Sequence, residues 1–309
     1  MNADEELAAN PALRRVLARA GGPELLRLLA EDLSGTDLTT LLLEVFRRRA
    51  DGLAPADVMR RYRTDRFVTP STIDYRALRR AEDVLLAALS ADVEVLTLAP
   101  LVPLATHSAV ATVDPRKVVA TIRASEVAAD PTNALALEAA LRRSEASGSA
   151  EPVRLAASQR VVRAQHFGGP GMLAHFQLFA VVTAGRDTGG GEFERRHLVE
   201  HLQFAARTMS GVGQTEIRIT CLGESARPVF AHARDALPNV KIVDDPGRTT
   251  GRGYYTGLCY KIYASAGDEW LEIADGGFVD WTRRLTANRK ERLLISGFGV
   301  DRLATVLNS

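Results

Sequence analysis

Ile295-Ser296-Gly297-Phe298-Gly299-Val300-Asp301-Arg302-Leu303 is the stretch on which the reading of this chain turns. The run leading into it, Arg292 to Ile295, reads as a buried strand. Two glycines follow, and a short helix then begins. Glycine at such a turn lets a ligand approach the backbone closely. A helix start offers free N–H groups and the positive end of a dipole to an anion. Arg302 sits in the first turn of that helix, where a phosphate would lie. Taken alone, the stretch also reads as a tight strand-to-helix turn with a surface arginine. The rest of the chain decides between the two.

The 309 residues are 46% hydrophobic and 25% charged, ordinary for a globular protein of one large or two smaller domains. A formal net charge of +1 leaves no global field to recruit nucleic acid or membrane. The two cysteines, Cys221 and Cys259, fit no zinc spacing and read as buried residues of a reducing compartment. No apolar run reaches the length of a membrane span, and the acidic N-terminus lacks a signal-peptide core. A cytoplasmic protein is expected.

Residues 1–66 read as a helical N-terminal region. Thr36 or Asp37 is the expected cap of a helix from Leu38 to Arg49, ended by Gly52. The arginines Arg47, Arg48, Arg49, Arg60, Arg61, Arg63 and Arg66 read either as a patch for RNA or an acidic partner, or as solvated helix faces. A domain boundary is expected near residues 66–70. Beyond it, a long helix, Ile73 to Leu89, precedes a change of texture. Strands are expected at 93–98, 118–122, 160–165, 175–183, 216–221, 240–243, 254–263 and 269–273. Helices are expected at 133–143 and 193–209. This order predicts an α+β protein, an antiparallel sheet flanked by helices.

Four stretches carry chemistry. The first is Ala129-Asp130-Pro131-Thr132, in which Asp130 also reads as a helix cap with Pro131 at the first helical position. The second is Arg163-Ala164-Gln165, then the loop Gly168-Gly169-Pro170-Gly171, then His175-Phe176-Gln177. The third runs from Asp245 through Arg248, Thr250 and Arg252 to Tyr254-Tyr255-Thr256-Gly257. The fourth is Asp275-Gly276-Gly277-Phe278-Val279-Asp280-Trp281, with the opening stretch behind it.

In this order they resemble the catalytic core of class II aminoacyl-tRNA synthetases, over about residues 69–309. The resemblance is greatest to histidyl-tRNA synthetase, and Asp130 brings in the synthetase-like regulatory subunit of ATP phosphoribosyltransferase. It implies a class II synthetase-like sheet and a set of roles. Asp130 would capture a substrate α-amino group beside Thr132. Arg163 would pin the α-phosphate of ATP and the substrate carboxylate, and the loop 168–171 would close over the nucleotide. Gly297, Gly299 and Arg302 would complete the ATP site, with Arg302 on the γ-phosphate. Gln165, Gln177, Tyr254, Tyr255, Gly276, Gly277 and Asp280 would face the substrate. A guanidinium fork suits such anions and neutralises charge developing in adenylate transfer.

The chain also departs from the pattern. Gln165 replaces a glutamate, and Leu178 and Val182 replace the glutamine and glutamate that line a histidine pocket. Thr250 holds the catalytic arginine's position, flanked by Arg248 and Arg252, of which Arg252 is the expected substitute. The chain ends seven residues after Arg302, so an anticodon-binding domain is not expected. The segment from Met209 to Asp245 is too short for a sizeable insertion domain. Ordinary tRNA charging is therefore not expected.

His197-Leu198-Val199-Glu200-His201 fits an inverted zinc-protease pattern, yet its helix needs a core face through Leu198 and Leu202. No metal site is expected there. Arg186-Asp187 with Gly189-Gly190-Gly191 reads as a pocket rim or a plain loop. Phe278 and Trp281 read equally as pocket walls or core.

Two functions follow. One is an enzyme that binds ATP, with Mg2+, and activates a small carboxylic or amino acid as an adenylate beside Leu178, Val182 and Phe278. The other is a non-catalytic, metabolite-sensing subunit whose N-terminal helices dock a partner enzyme. Either is expected to be a homodimer paired through about Val93 to Val113, as the resemblance implies, with no membrane partner.

Overall fold

The structure is a computed structural model that describes residues 10–146, 148–165, 173–266 and 269–308. The loop 168–171, expected to close over a nucleotide, lies outside the described residues. The chain divides into two compact units, Met1–Arg63 with Thr121–Ala124, and Thr64–Ala120 with Ser125–Ser309.

The first unit holds helices α1 (Pro11–Arg19), α2 (Pro23–Arg27), α3 (Gly35–Asp51) and α4 (Pro55–Tyr62). Ser34, not Thr36 or Asp37, caps α3. Its hydroxyl accepts the Asp37 N–H at 3.1 Å, because that side chain precedes the first helical turn. The arginines here are largely occupied at helical spacing. Arg47 and Arg48 both bond Glu44, Arg47 also reaches Asp51, and Arg60 reaches Asp57. Those hydrogen bonds hold the Glu44 carboxyl down at about 2.

The second unit is built on an eight-stranded sheet. Its strands are β1 (Glu94–Val95), β4 (Val153–Val162), β5 (His175–Arg186), β10 (Glu291–Gly299), β9 (Glu269–Val279), β8 (Leu258–Ala266), β6 (Thr215–Cys221) and β7 (Ile242–Asp244), in that spatial order. The six central strands are antiparallel, and only the short edge strands β1 and β7 pair in parallel. A separate two-stranded ribbon pairs β2 (Leu101–Pro103) with β3 (Ser125–Val127). An α+β, class II synthetase-like sheet flanked by helices is what the sequence predicts, and it is what forms.

Alternation along the strands decides which helix covers which face. Leu155, Ala157, Ala180, Val182, Cys259 and Ile295 share one face and pack against Leu135, Ala136 and Ala139 of α6 (Pro131–Glu145). The opposite face carries Ala156, Phe179, Val181, Tyr260 and Phe298. It packs against α5 (Tyr75–Ala88), α7 (Glu192–Thr208) and α10 (Val300–Leu307). Arg143 of α6 is buried and bonds Glu291 of β10 at 2.9 and 3.0 Å, tying helix to sheet with both charges satisfied.

Several elements differ from expectation. The strand expected at 93–98 shrinks to Glu94–Val95, and no strand forms at 118–122, where Ala120 makes one isolated bridge. β4 lies upstream of the expected 160–165, so Arg163 follows the strand rather than sitting inside it. β10 continues through Gly297 and Gly299, because both glycines keep ladder partners, Ala180 and Leu178 on β5. Two helices form that the sequence reading did not include: α8 (Arg227–Ala236), which has Pro228 at its start and buries Val229 and Ala233 one turn apart, and the short α9 (Trp281–Leu285).

Candidate functional site

Asp130 is the N-cap of α6, and the α6 face of the sheet is where the candidate site lies. Its Oδ1 accepts the Thr132 N–H at 2.9 Å and the Thr132 hydroxyl at 2.7 Å. Pro131 fills the first helical position, where no N–H is needed. Thr132 is buried, so it orients Asp130 rather than facing the open site. The other carboxylate oxygen, Oδ2, lies 3.2 Å from Nη2 of Arg163. The Nε of Arg163 donates to the Ala129 carbonyl at 3.0 Å, and its guanidinium lies 5.1 Å from the Phe176 ring centroid. Both charged side chains remain about a third exposed, 32% for Arg163 and 33% for Asp130. An acid and a fork-shaped cation thus stand side by side, each with one edge anchored and the other open.

Tyr254 joins this group. Burial pushes its hydroxyl above the ordinary value, with Asp275 adding to the effect, and it also feels Asp130 and Arg163. Its ring lies 4.4 Å from that of Tyr255 and 6.0 Å from Trp281, centroid to centroid. Tyr255 donates to Asp275 Oδ1 at 2.9 Å. Asp275 in turn accepts twice from Nη2 of Arg248, at 3.0 and 2.8 Å. Burial raises the Asp275 carboxyl above its ordinary value, against the pull of Arg248 and Tyr255.

That ion pair answers what happens around Thr250. The Arg248 side chain is 2% exposed and directed at Asp275, with its Nε on the Thr250 carbonyl at 2.7 Å. Arg252 is exposed and donates to the Arg248 carbonyl at 3.2 Å. Arg248 is thus engaged with Asp275 and the Thr250 backbone, and Arg252 with the Arg248 backbone. Lys261 also stands beside Thr250, its Nζ 3.1 Å from the Thr250 hydroxyl and 2.6 Å from Glu272 Oε2.

Arg302 follows Gly299 in α10. Its Nη1 donates to the Glu272 carbonyl at 2.8 Å, and the side chain stays 49% exposed. The two glycines before it serve differently from Gly276 and Gly277. A Cβ on Gly297 would find only the Asp275 carbonyl, at 3.9 Å, so the space above this glycine is open. A Cβ on Gly276 would stand 2.5 Å from the Tyr260 ring, on the far face of the sheet. A Cβ on Gly277 would stand 2.7 Å from the Leu258 carbonyl and from the Tyr255 ring. Internal packing, not substrate, requires Gly276 and Gly277.

Three other expected substrate residues lie elsewhere. Gln177 points to the opposite face, where its amide donates to Glu82 at 3.1 Å and Ser158 at 3.0 Å, because odd-numbered β5 positions face α5. Gln165 is exposed, and its backbone carbonyl accepts from Arg66 at 3.2 Å. Asp280 lies past the other end of β9, paired with Arg283 and Arg284. It borders a separate cavity of about 510 Å³ whose floor includes Leu258, Phe278 and Leu293. Phe278 is buried against Phe193 at 6.4 Å, and Trp281 is buried under Tyr254, so both are core rather than walls beside Leu178 and Val182. Gly190 and Gly191 border that same separate cavity.

His197 and His201 are hydrogen-bonded inside the helix layer. His201 Nδ1 lies 2.6 Å from Ser296 Oγ and Nε2 lies 2.9 Å from Thr183 Oγ1. His197 Nδ1 bonds Glu200 at 2.7 Å. Among the described residues no group of three His, Cys, Asp or Glu side chains converges as a metal site would require. No helix among them is long and apolar enough to cross a membrane.

Sequence reasoning missed Lys261, Glu272, Asp275 and the burial of Arg248. Lys261 on β8 meets Glu272 and Asp275 on β9 through the pairing of the two strands, a register that no single stretch of sequence carries.

No protein-family model and no curated protein matches the chain. Solved structures do match. Histidyl-tRNA synthetase from Nostoc sp. superposes with a TM-score of 0.59 at 13% identity, over 79% of this chain and 74% of that one. An ATP phosphoribosyltransferase regulatory subunit/histidyl-tRNA synthetase from Bacillus halodurans gives 0.57 at 14%, over 78% and 83%. Apo histidyl-tRNA synthetase from S. aureus gives 0.57 at 14%, over 76% of this chain and 65% of the other's length. The chain therefore has the class II aminoacyl-tRNA synthetase-like fold.

Proposed function

We propose that this protein binds ATP and a small amino or carboxylic acid on the α6 face of the sheet and activates the acid as an adenylate, without ordinary tRNA charging. The observation that carries the reading is the Asp130–Arg163 pair, anchored on one side and open on the other. A substrate amine fits the carboxylate, and a substrate carboxylate or α-phosphate fits the guanidinium. Half-exposed Arg302 is the cation for the outer phosphates. Mg2+ would travel with the triphosphate and needs few protein oxygens; Glu272 is the carboxylate this part of the site offers. Leu178 and Val182, buried on the same face, supply no polar contact for an imidazole, which favours an acid less polar than histidine.

Thr250 bears on rate. Removing one charge-stabilising donor typically costs on the order of 10²- to 10³-fold, and here Arg248 is engaged with Asp275 and Arg252 with the Arg248 carbonyl. This favours a second reading, a non-catalytic metabolite-binding subunit with a partner enzyme, and the Bacillus halodurans match carries such a name. In either case we place a homodimer contact at the groove of about 460 Å³ formed by Leu96, Leu98, Leu101, Leu137 and Leu141, in a cytoplasmic protein.

ATP–pyrophosphate exchange with all twenty amino acids, beside calorimetry with ATP, separates the readings. Exchange with one amino acid establishes activation and names the substrate. Nucleotide binding without exchange leaves a substrate other than an amino acid, or the regulatory subunit. No nucleotide binding overturns the enzyme reading.

A further inference from the structure

We infer that Lys261 contacts the phosphates of a bound nucleotide and sets a preference for the triphosphate over the monophosphate; the inference rests on the nucleotide reading above. It starts from strand register. Ala157, Ala180, Gly297, Asp275 and Lys261 are successive partners across β4, β5, β10, β9 and β8. Partners in a ladder share a face, so these five side chains form one row on the α6 side.

Ala157 and Ala180 are fully buried beneath α6, so the open part of the row begins at Gly297, above which there is space for a ligand to approach the backbone. Asp275 follows on β9, and Lys261 on β8 closes the row.

Lys261 and Arg302 converge on one residue. Glu272 holds the Lys261 ammonium with its carboxylate at 2.6 Å and the Arg302 guanidinium with its carbonyl at 2.8 Å. Its second carboxylate oxygen lies 3.9 Å from Arg302. Two cations are thus held together over β8 and β9, past the open position at Gly297. A triphosphate offers this pair anionic oxygens beyond the α-phosphate that Arg163 would hold, and a monophosphate does not. The lysine is only 13% exposed, its hydroxyl partner Thr250 fixing the ammonium on one side. Such a fixed, partly desolvated cation gains more from an anion than a mobile surface lysine does.

The test is calorimetry on the full chain with ATP and with AMP, for wild type and for Lys261→Ala, Lys261→Gln and Lys261→Arg, each checked for a native thermal transition. Wild type is expected to bind ATP more tightly than AMP. Lys261→Ala and Lys261→Gln should lose at least about tenfold in ATP affinity with AMP within about twofold of wild type, and Lys261→Arg should keep most of the ATP affinity. Equal ATP and AMP affinities in wild type, or an unchanged ATP affinity in both neutral variants, overturns the role of Lys261 while leaving nucleotide binding in place. A wild-type protein that binds neither nucleotide overturns the nucleotide reading itself, and the inference with it.

Discussion

Arg248 lies against Asp275 with both carboxylate oxygens within 3.0 Å of one guanidinium nitrogen, beneath the surface of the site. The pair turns an arginine of the recognised Asp245–Gly257 stretch into a floor beam rather than a ligand contact. A buried charge left without its partner is costly, about 3–5 kcal/mol when one member is removed. Arg248→Met is therefore expected to lower the stability measured by urea denaturation by roughly 3 kcal/mol near neutrality. The Asp275 carboxyl is already raised by burial, and losing Arg248 raises it further. A raised carboxyl contributes stability below its ordinary value and loses it as pH climbs through the folded value. The variant should therefore recover stability on acidification, whereas a variant whose deficit stays constant with pH would assign the loss to packing alone.

Asp130 has two jobs that substitution can separate. Asparagine caps helices as well as aspartate, while alanine does not. Asp130→Asn should keep the thermal midpoint and lose binding of any ligand with an α-amino group. Asp130→Ala should lose that binding and also about 1 kcal/mol of stability. Retained ligand binding in both variants would reduce Asp130 to a cap.

The glycines divide by what surrounds them. Gly276→Ala places a methyl 2.5 Å from the Tyr260 ring and 2.7 Å from the Ile295 carbonyl, so it should destabilise by several kcal/mol or abolish folding. Gly297→Ala meets only one atom within 4 Å, at 3.9 Å, and should leave the thermal midpoint unchanged or slightly higher. The same Gly297 variant should weaken ATP binding by about tenfold, because the methyl fills the open space above the strand. Undiminished ATP binding would mean that no ligand approaches the strand there.

His201 is buried in the helix layer between Thr183 and Ser296, and burial, aided by His197, lowers its value from 6.5 to about 3. The unfolded chain takes up a proton there near pH 6.5 and the folded chain does not. The stability is present above 6.5 and is lost as pH falls from 6.5 toward 3, by roughly 3 kcal/mol at about pH 4. Urea midpoints across this range should decline, and His201→Gln should flatten part of the decline. An identical slope in that variant would assign the acid sensitivity to other groups.

The sequence by itself determined the class of fold and pointed to several candidate site residues. Tyr254-Tyr255-Thr256-Gly257, Asp130-Pro131 and Gly297-Phe298-Gly299-Val300-Asp301-Arg302 are local patterns, and local patterns survive without knowledge of neighbours. Helix caps such as Asp130 were legible for the same reason, since a cap acts within three residues of itself. Only the tertiary structure decided where the other side chains go. A strand gives no sign of which face meets which helix, so Gln177 could be read as a ligand contact until β5 was placed under α5. Lys261, Glu272 and Asp275 come together from adjacent strands through ladder register, which no single segment encodes. Register and facing are set by long-range burial of apolar surface, and that is a property of the assembled sheet rather than of any stretch within it.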